Sequence, residues 1–203
     1  MFFGLCSQLL QLEPRSRLTE FTASKFTQLI RRQFSADDYI IKTDRSYAVD
    51  INDIIVGGLY DGTLDDQSLP HTEITLYYHP HQWPFHINDL DWRRVIFNIA
   101  ECVGHEHIHR RQHKNNTALN EYVSTVANPK LRQEQNYLGH EEELDAYGFS
   151  IAAETMVFSI PQEECAIYKI YQQKFDTDND VIVKLQQNIV KYLEQLKTEP
   201  DYE

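Results

Sequence analysis

Cysteine is scarce in this sequence. Cys6, Cys102 and Cys165 are the only three in 203 residues, and they lie far apart without CxxC spacing. An odd number of scattered cysteines does not make the disulfide framework on which many small secreted domains depend. We therefore expect reduced cysteines, buried as small apolar side chains, and a reducing compartment.

Long hydrophobic runs are also missing. No stretch of about 18 apolar residues occurs, which is the length that a membrane-spanning helix needs. The apolar start, MFFGLCSQLLQLEPR, lacks a preceding Lys or Arg and is interrupted by Ser7, Gln8 and Gln11, unlike a signal peptide. These absences predict no membrane partner and a cytoplasmic protein, found in the host cytoplasm or the virion if it is viral.

Basic residues are outnumbered by acidic ones, with 19 Lys and Arg against 31 Asp and Glu and a formal net charge of −12. Nucleic-acid binding depends on basic side chains that displace counterions from phosphates. The charge therefore argues against a nucleic-acid partner and favours basic or neutral substrates. The 12 Tyr and 10 Phe argue against a disordered chain, and a length of 203 residues predicts one domain over 1–203.

The first 80 residues are predicted to form helices followed by a small sheet. Apolar spacing predicts a helical N-terminal segment over 1–35, with helices at 3–12 and 18–33. Short β-branched and aromatic runs predict the sheet over 36–80, most clearly at 52–60 and 73–79. The stretch HPHQWPF contains Pro80 and Pro84 and is predicted to end the sheet, with loop positions at His79, His81 and His86.

The rest of the chain is predicted to be helical, which gives an α+β fold with a small, mostly antiparallel sheet packed on the histidine-rich helix. Two helices are predicted within 88–157, and C-terminal helices over 160–203. The first begins near Asn88 and carries an apolar stripe of Trp92, Val95, Ile96, Ile99 and Val103. The others are predicted at about 140–157, 161–174 and 178–197, with a polar loop that includes one short helix at 114–136. The last helix is predicted to have Asp178 as N-cap and a buried stripe of Val181, Leu185, Ile189, Tyr192 and Leu196.

Histidine is concentrated in GHEHIHRRQH, residues 104–113, which contains the pattern HExxH. On a helix, residues four apart lie on one face, so His105 and His109 can bind one zinc ion through imidazole nitrogens. Glu106 is then placed to act as general base toward a metal-bound water. The stretch therefore predicts two ligands, a base and a helix.

Two other interpretations of this stretch remain open. On a strand, His105, His107 and His109 would share one face, although the apolar stripe running into the stretch favours a helix. The stretch could also be a solvated, histidine-rich helix face. His113 lies about 12 Å along the axis from His105, which is too far to share one ion with bonds of about 2 Å. A third ligand must therefore come from elsewhere, and the acidic helix at 137–154 is the best donor.

With YLGHEEELDAYGFSIAAE at 137–154, the chain resembles zinc metallopeptidases of the gluzincin type. In these proteins a Glu from a downstream helix completes HExxH, as in thermolysin and the ImmA/IrrE-type peptidases. Small phage and bacterial zincin-like proteins with HExxHxxQ followed by ExEAYA are most similar, because Gln112 and Ala146 occupy the matching places. The resemblance covers roughly residues 73–157.

This resemblance implies a zincin-like fold and one Zn²⁺ per chain, bound by His105, His109 and Glu143, with Glu142 as the alternative third ligand. It implies hydrolysis of peptide bonds in a peptide or protein substrate, with Glu106 as the catalytic base. The sequence departs from the ExxxD form of the family because Tyr147 stands where that form has Asp.

The sequence offers several candidates for the groups that orient a ligand histidine or stabilise the transition state. A carboxylate that orients a ligand histidine comes from Asp145 or is absent. Candidates for stabilising the transition state are Tyr122, Tyr137, His140 and Tyr147. Two functions follow: a zinc-dependent peptidase, or a zincin-fold structural or binding protein, for example a phage component, that keeps the metal without proteolysis.

Overall fold

The computed structural model describes residues 2–10, 17–18, 28, 31–32, 39–50, 53–61, 71–82, 85–86, 89–115, 137–176 and 179–198. The architecture is α+β, as predicted. The chain divides into two compact units, Met1–Asp61 with Leu69–Val103, and Gly62–Ser68 with Gly104–Glu203. The expectation of a single domain stays a prediction.

A three-stranded sheet forms part of the first unit. It consists of β2 (Tyr39–Arg45), β3 (Ile54–Asp61) and β4 (His71–Tyr78), in the order β2-β4-β3. β3 pairs with β4 antiparallel, whereas β2 pairs with β4 in parallel, with Ile41 opposite Ile74. The sheet is therefore mixed rather than mostly antiparallel, because β4, the last of its three strands along the chain, takes the central place. Alternate side chains of β4 are buried: Thr72, Ile74, Leu76 and Tyr78.

The N-terminal region differs from its prediction. Helix α1 (Phe2–Leu10) matches the first predicted helix, but Leu18 lies in a short strand β1 (Arg17–Leu18) instead of starting a helix. This strand pairs antiparallel with β5 (Phe85–His86), so His86 is a strand residue and not a loop residue. A two-residue strand is too short to carry a period of alternating hydrophobicity, and its partner is distant in sequence. Within the predicted second helix, the described residues Gln28, Arg31 and Arg32 are helical.

Helix α2 (Asp89–Asn115) carries the histidine-rich stretch and is 27 residues long. It begins one residue after Asn88, as its apolar stripe predicts. The described side chains of that stripe are buried: Val95, Ile96, Ile99 and Val103. The helix continues without interruption through the whole histidine-rich stretch, which confirms the helical prediction and contradicts the strand alternative. It ends two residues into the predicted loop, and the remainder of that loop lies outside the described residues.

Three more helices belong to the second unit. They are α3 (Glu141–Phe158), α4 (Ala166–Lys174) and α5 (Asp180–Lys197), and a short 3-10 helix (Gln162–Glu164) precedes α4. The predicted N-cap of α5 was wrong by one residue, because Asn179 accepts a hydrogen bond from the Val181 backbone N–H. The buried face of α5 includes Ile182 in place of Val181, with Leu185, Ile189, Tyr192 and Leu196 as predicted.

Helices α3 and α5 pack closely against each other. A Cβ atom added at Gly148 of α3 would lie 2.5 Å from the Cβ and 3.1 Å from the carbonyl carbon of Asn188 on α5. The missing side chain therefore allows the two backbones to approach. Phe149 then meets Tyr192 edge-to-face, with ring centroids 5.6 Å apart.

None of the three cysteines, all within the described residues, forms a disulfide. Cys102 and Cys165 are buried, as predicted, and Cys6 is half-buried. Among the helices that the structure describes, none is both long and apolar enough to cross a membrane.

The contact at Gly148 generates a stability prediction. A Gly→Ala change normally favours a helix by up to about 1 kcal/mol, but in Gly148→Ala the added Cβ would overlap the Asn188 Cβ and crowd the α5 backbone. We expect a net loss of about 1–3 kcal/mol in the free energy of unfolding, measured by urea denaturation. The exposed residue Val190 on α5 supplies the control, since Val190→Ala should change stability by no more than about 0.5 kcal/mol. A Gly148→Ala protein as stable as the wild type would contradict this packing.

Candidate metal centre

Three buried side chains of the second unit converge on one point. His105 and His109 lie one turn apart on α2, and Glu143 lies in the first turn of α3; their exposed fractions are 8%, 9% and 2%. The two Nε2 atoms are 3.2 Å apart. Glu143 Oε1 is 3.5 Å from His109 Nε2, and Glu143 Oε2 is 3.8 Å from His105 Nε2. One ligand atom from each residue lies within 4.8 Å of the others, so the group could hold a metal ion.

A glycine allows the two helices to come this close. A Cβ atom added at Gly104 would lie 2.4 Å from the Phe149 ring of α3. The ring therefore occupies the space of a side chain on α2, immediately before the first ligand histidine. The close approach of α2 and α3 brings Glu143 within reach of both imidazoles.

Gln112 orients the second histidine. Its Nε2 donates to the Glu142 backbone carbonyl at 3.1 Å, which identifies the nitrogen end of the amide. Its Oε1 lies 2.9 Å from His109 Nδ1 and must accept a hydrogen bond from the protonated Nδ1. The lone pair of a neutral His109 is therefore on Nε2, which faces the cluster.

Ser150 orients the first histidine in the same way. The Ser150 hydroxyl donates to the Ala146 carbonyl at 3.3 Å and lies 3.3 Å from His105 Nδ1, from which it can accept a hydrogen bond. The lone pair of neutral His105 is then also on Nε2. Burial, with a smaller effect of His109, holds the pKa of His105 well below its usual range.

These tautomers give the cluster its chemistry. Two Nε2 lone pairs that face each other cannot form a hydrogen bond, and a buried carboxylate adds negative charge beside them. A cation at the centre would satisfy all three atoms. Two imidazoles and one carboxylate form a ligand set that suits zinc and other divalent transition metals, so the residues fit a metal ion.

The neighbouring glutamates have different positions. Glu106 follows His105 on α2 and is buried at 6% exposure, but it is not one of the three clustered residues. Glu143, and not the alternative Glu142, is the carboxylate in the cluster. Glu142 instead contributes its backbone carbonyl to Gln112. His107 is half-buried on α2 and is not part of the cluster.

Tyr147 packs on the cluster from α3. Its ring centroid is 4.6 Å from that of His105, and it also contacts Tyr171, with ring centroids 5.9 Å apart. Tyr171 is buried, donates its hydroxyl to the Leu138 carbonyl at 2.9 Å, and has a phenol pKa raised mainly by burial. Tyr147 is therefore an aromatic support for His105.

The other residues that the sequence proposed for the site lie on α3, just before it, or outside the described residues. Asp145 accepts a hydrogen bond from Gln112 at 3.4 Å and pairs with Lys191, so it reaches His109 through Gln112. His140 is the N-cap residue of α3, and Tyr137 is half-buried in the helical turn before it. Tyr122 and the side chain of His113 lie outside the described residues.

Ser150, Tyr171 and Lys191 are supporting residues that sequence reasoning missed. Ser150 had a detectable signal, because Glu143, Tyr147 and Ser150 recur at i, i+4 and i+7 and therefore share a face of α3. Tyr171 and Lys191 had none, because their contacts with Tyr147 and Asp145 of α3 depend on how α4 and α5 pack.

Comparisons with protein-family models, with curated proteins and with solved structures find no match to this chain. The assignment of a candidate metal centre therefore rests on the geometry of His105, His109 and Glu143. The resemblance to gluzincins stays a prediction from the motif.

The geometry predicts the outcome of removing each ligand. His105→Ala, His109→Ala and Glu143→Ala should each abolish stoichiometric zinc uptake, because two remaining ligands hold a divalent ion poorly. His81→Ala, which removes an exposed histidine of the first unit, should leave uptake unchanged. The measurement is elemental analysis after zinc loading and gel filtration. Equal zinc in all four variants would contradict the assignment.

Proposed function

We propose that the protein is a zinc-dependent metallopeptidase that hydrolyses peptide bonds. The observation that carries this proposal is the buried His105–His109–Glu143 cluster, whose histidines belong to HExxH. A zinc ion held there would supply a water of lowered pKa and polarise the scissile carbonyl. The substrate would be a peptide or protein, in agreement with the resemblance to gluzincins.

The number of ligands supports a catalytic rather than a structural site. Structural zinc sites are closed by four protein ligands, whereas catalytic sites use three and leave a position for water or substrate. Among the described residues, the cluster contains three ligands and no cysteine. Cys102, although buried on the same helix, is not part of it.

The residues around the proposed zinc site have different roles. Glu106 is the proposed general base, which accepts a proton from the attacking water and passes it to the leaving amine. Gln112 and Ser150 hold the Nδ1 protons, so that both Nε2 atoms remain available. Of the candidates for transition-state stabilisation, Tyr147 has a contact with a ligand histidine.

A second function is a structural or binding protein of zincin type, for example a phage component, that keeps the metal without proteolysis. The observation that favours it is Tyr147 at the place of the aspartate in the ExxxD form. Ser150 weakens this argument, because it provides a hydrogen-bond partner for His105 Nδ1 without a carboxylate. The two functions differ in hydrolysis and not in metal content.

The Glu106→Gln variant distinguishes the peptidase function from the structural or binding function. This variant should keep its zinc and lower the rate of peptide hydrolysis by about 10²–10⁴-fold, because the amide cannot take the proton. The measurement is cleavage of a mixed fluorogenic peptide library by the zinc-loaded protein. Glu142→Gln is the matched control, since its side chain is outside the cluster, and should retain activity. A zinc-loaded wild-type protein that cleaves no peptide would favour the structural function.

A further inference from the structure

A chain of polar contacts connects the metal centre to the C-terminal helix. From His109 Nδ1 it passes to Gln112 Oε1, from Gln112 Nε2 to Asp145 Oδ2 at 3.4 Å, and from Asp145 Oδ1 to Lys191. Beyond the metal cluster, this row of polar contacts runs along a cleft of about 670 Å³ lined by α2, α3 and α5. The side chain of Lys191 is 44% exposed, so the polar contacts that start at His109 end at the surface.

We propose that Asp145, held by Lys191, is a positioning residue that selects the tautomer of His109 through the orientation of the Gln112 amide. This inference rests on the proposed metal site. It assigns to Asp145 and Lys191 a role in metal retention, although neither residue contacts the cluster.

The two ends of the Gln112 amide determine which nitrogen of neutral His109 carries the proton. With both N–H groups directed to Glu142 O and Asp145 Oδ2, the oxygen faces His109 Nδ1 and accepts its proton. If the amide turned by 180°, it would present an N–H group to His109 Nδ1. The proton of neutral His109 would then move to Nε2 and point into the cluster, where it would occupy the atom that binds metal. The turned orientation is unfavourable, because it would direct the Gln112 oxygen toward two other acceptors, Glu142 O and Asp145 Oδ2.

A second ion pair on the same two helices provides an internal comparison. Lys184 of α5 pairs with Glu141 of α3, just as Lys191 pairs with Asp145. The side-chain nitrogen of Gln112 donates to Asp145 and to the Glu142 carbonyl, not to Glu141. Glu141→Ala therefore removes the same charge from the same helix without affecting the Gln112 amide.

The test measures zinc release into an excess of a chromogenic chelator. Asp145→Ala should accelerate release by about 10–100-fold, the usual effect of losing a group that orients a metal ligand. Asp145→Asn keeps an acceptor for Gln112 and should restore most of the retention. Glu141→Ala should stay within about twofold of the wild type. The Co²⁺-loaded Asp145→Ala protein should also show a changed d–d absorption spectrum, which a merely structural role would not produce.

Lys191→Met distinguishes positioning from simple charge and remains informative if Asp145→Ala does not fold. Removal of a cation near a metal should slow zinc release if charge alone matters, whereas the positioning role predicts faster release. Lys184→Met is the matched control and should not accelerate it. Equal release from Asp145→Ala and Glu141→Ala, or slower release from Lys191→Met, would overturn the inference while leaving the metal centre intact. A wild-type protein that takes up no zinc would overturn both.

Discussion

The close approach of α2 and α3 is the constraint on which the candidate metal centre depends. Two histidines one turn apart on α2 supply two ligand atoms, but the third comes from another helix and must arrive within a few ångströms. Gly104 permits this approach, because the Phe149 ring fills the space in which its side chain would lie. The result is a buried point where the His105, His109 and Glu143 atoms lie within 4.8 Å of one another.

Helix α3 contributes more to this centre than one ligand. Within about two turns it carries Glu143, the aromatic support Tyr147 and the hydroxyl of Ser150, all on the face toward the histidines. Asp145 and the Glu142 carbonyl lie at the side, where they hold Gln112. Orientation of both imidazoles thus comes from neutral hydrogen-bond partners, which keep the lone pairs inward without placing another charge against the ligands.

Local patterns were sufficient for the parts of the site that lie on one helix. The apolar stripe ending at Val103 predicted that His105 and His109 share a helical face, and the resemblance to gluzincins pointed to Glu143. What could not be predicted depends on tertiary packing. The pairing of Leu18 with Phe85, the parallel placement of β2 beside β4, and the contact of Lys191 with Asp145 each join segments that are distant in sequence. No periodicity within either segment encodes its partner.

The central claim is that His105, His109 and Glu143 bind zinc together. X-ray absorption at the zinc edge of the loaded protein tests it most directly, because the spectrum reports the ligand atoms. The account predicts a first shell of nitrogen and oxygen at about 2.0–2.1 Å, with outer scattering from two imidazole rings. A sulfur shell at about 2.3 Å, which would indicate a cysteine ligand such as Cys102, or the absence of imidazole scattering, would contradict it.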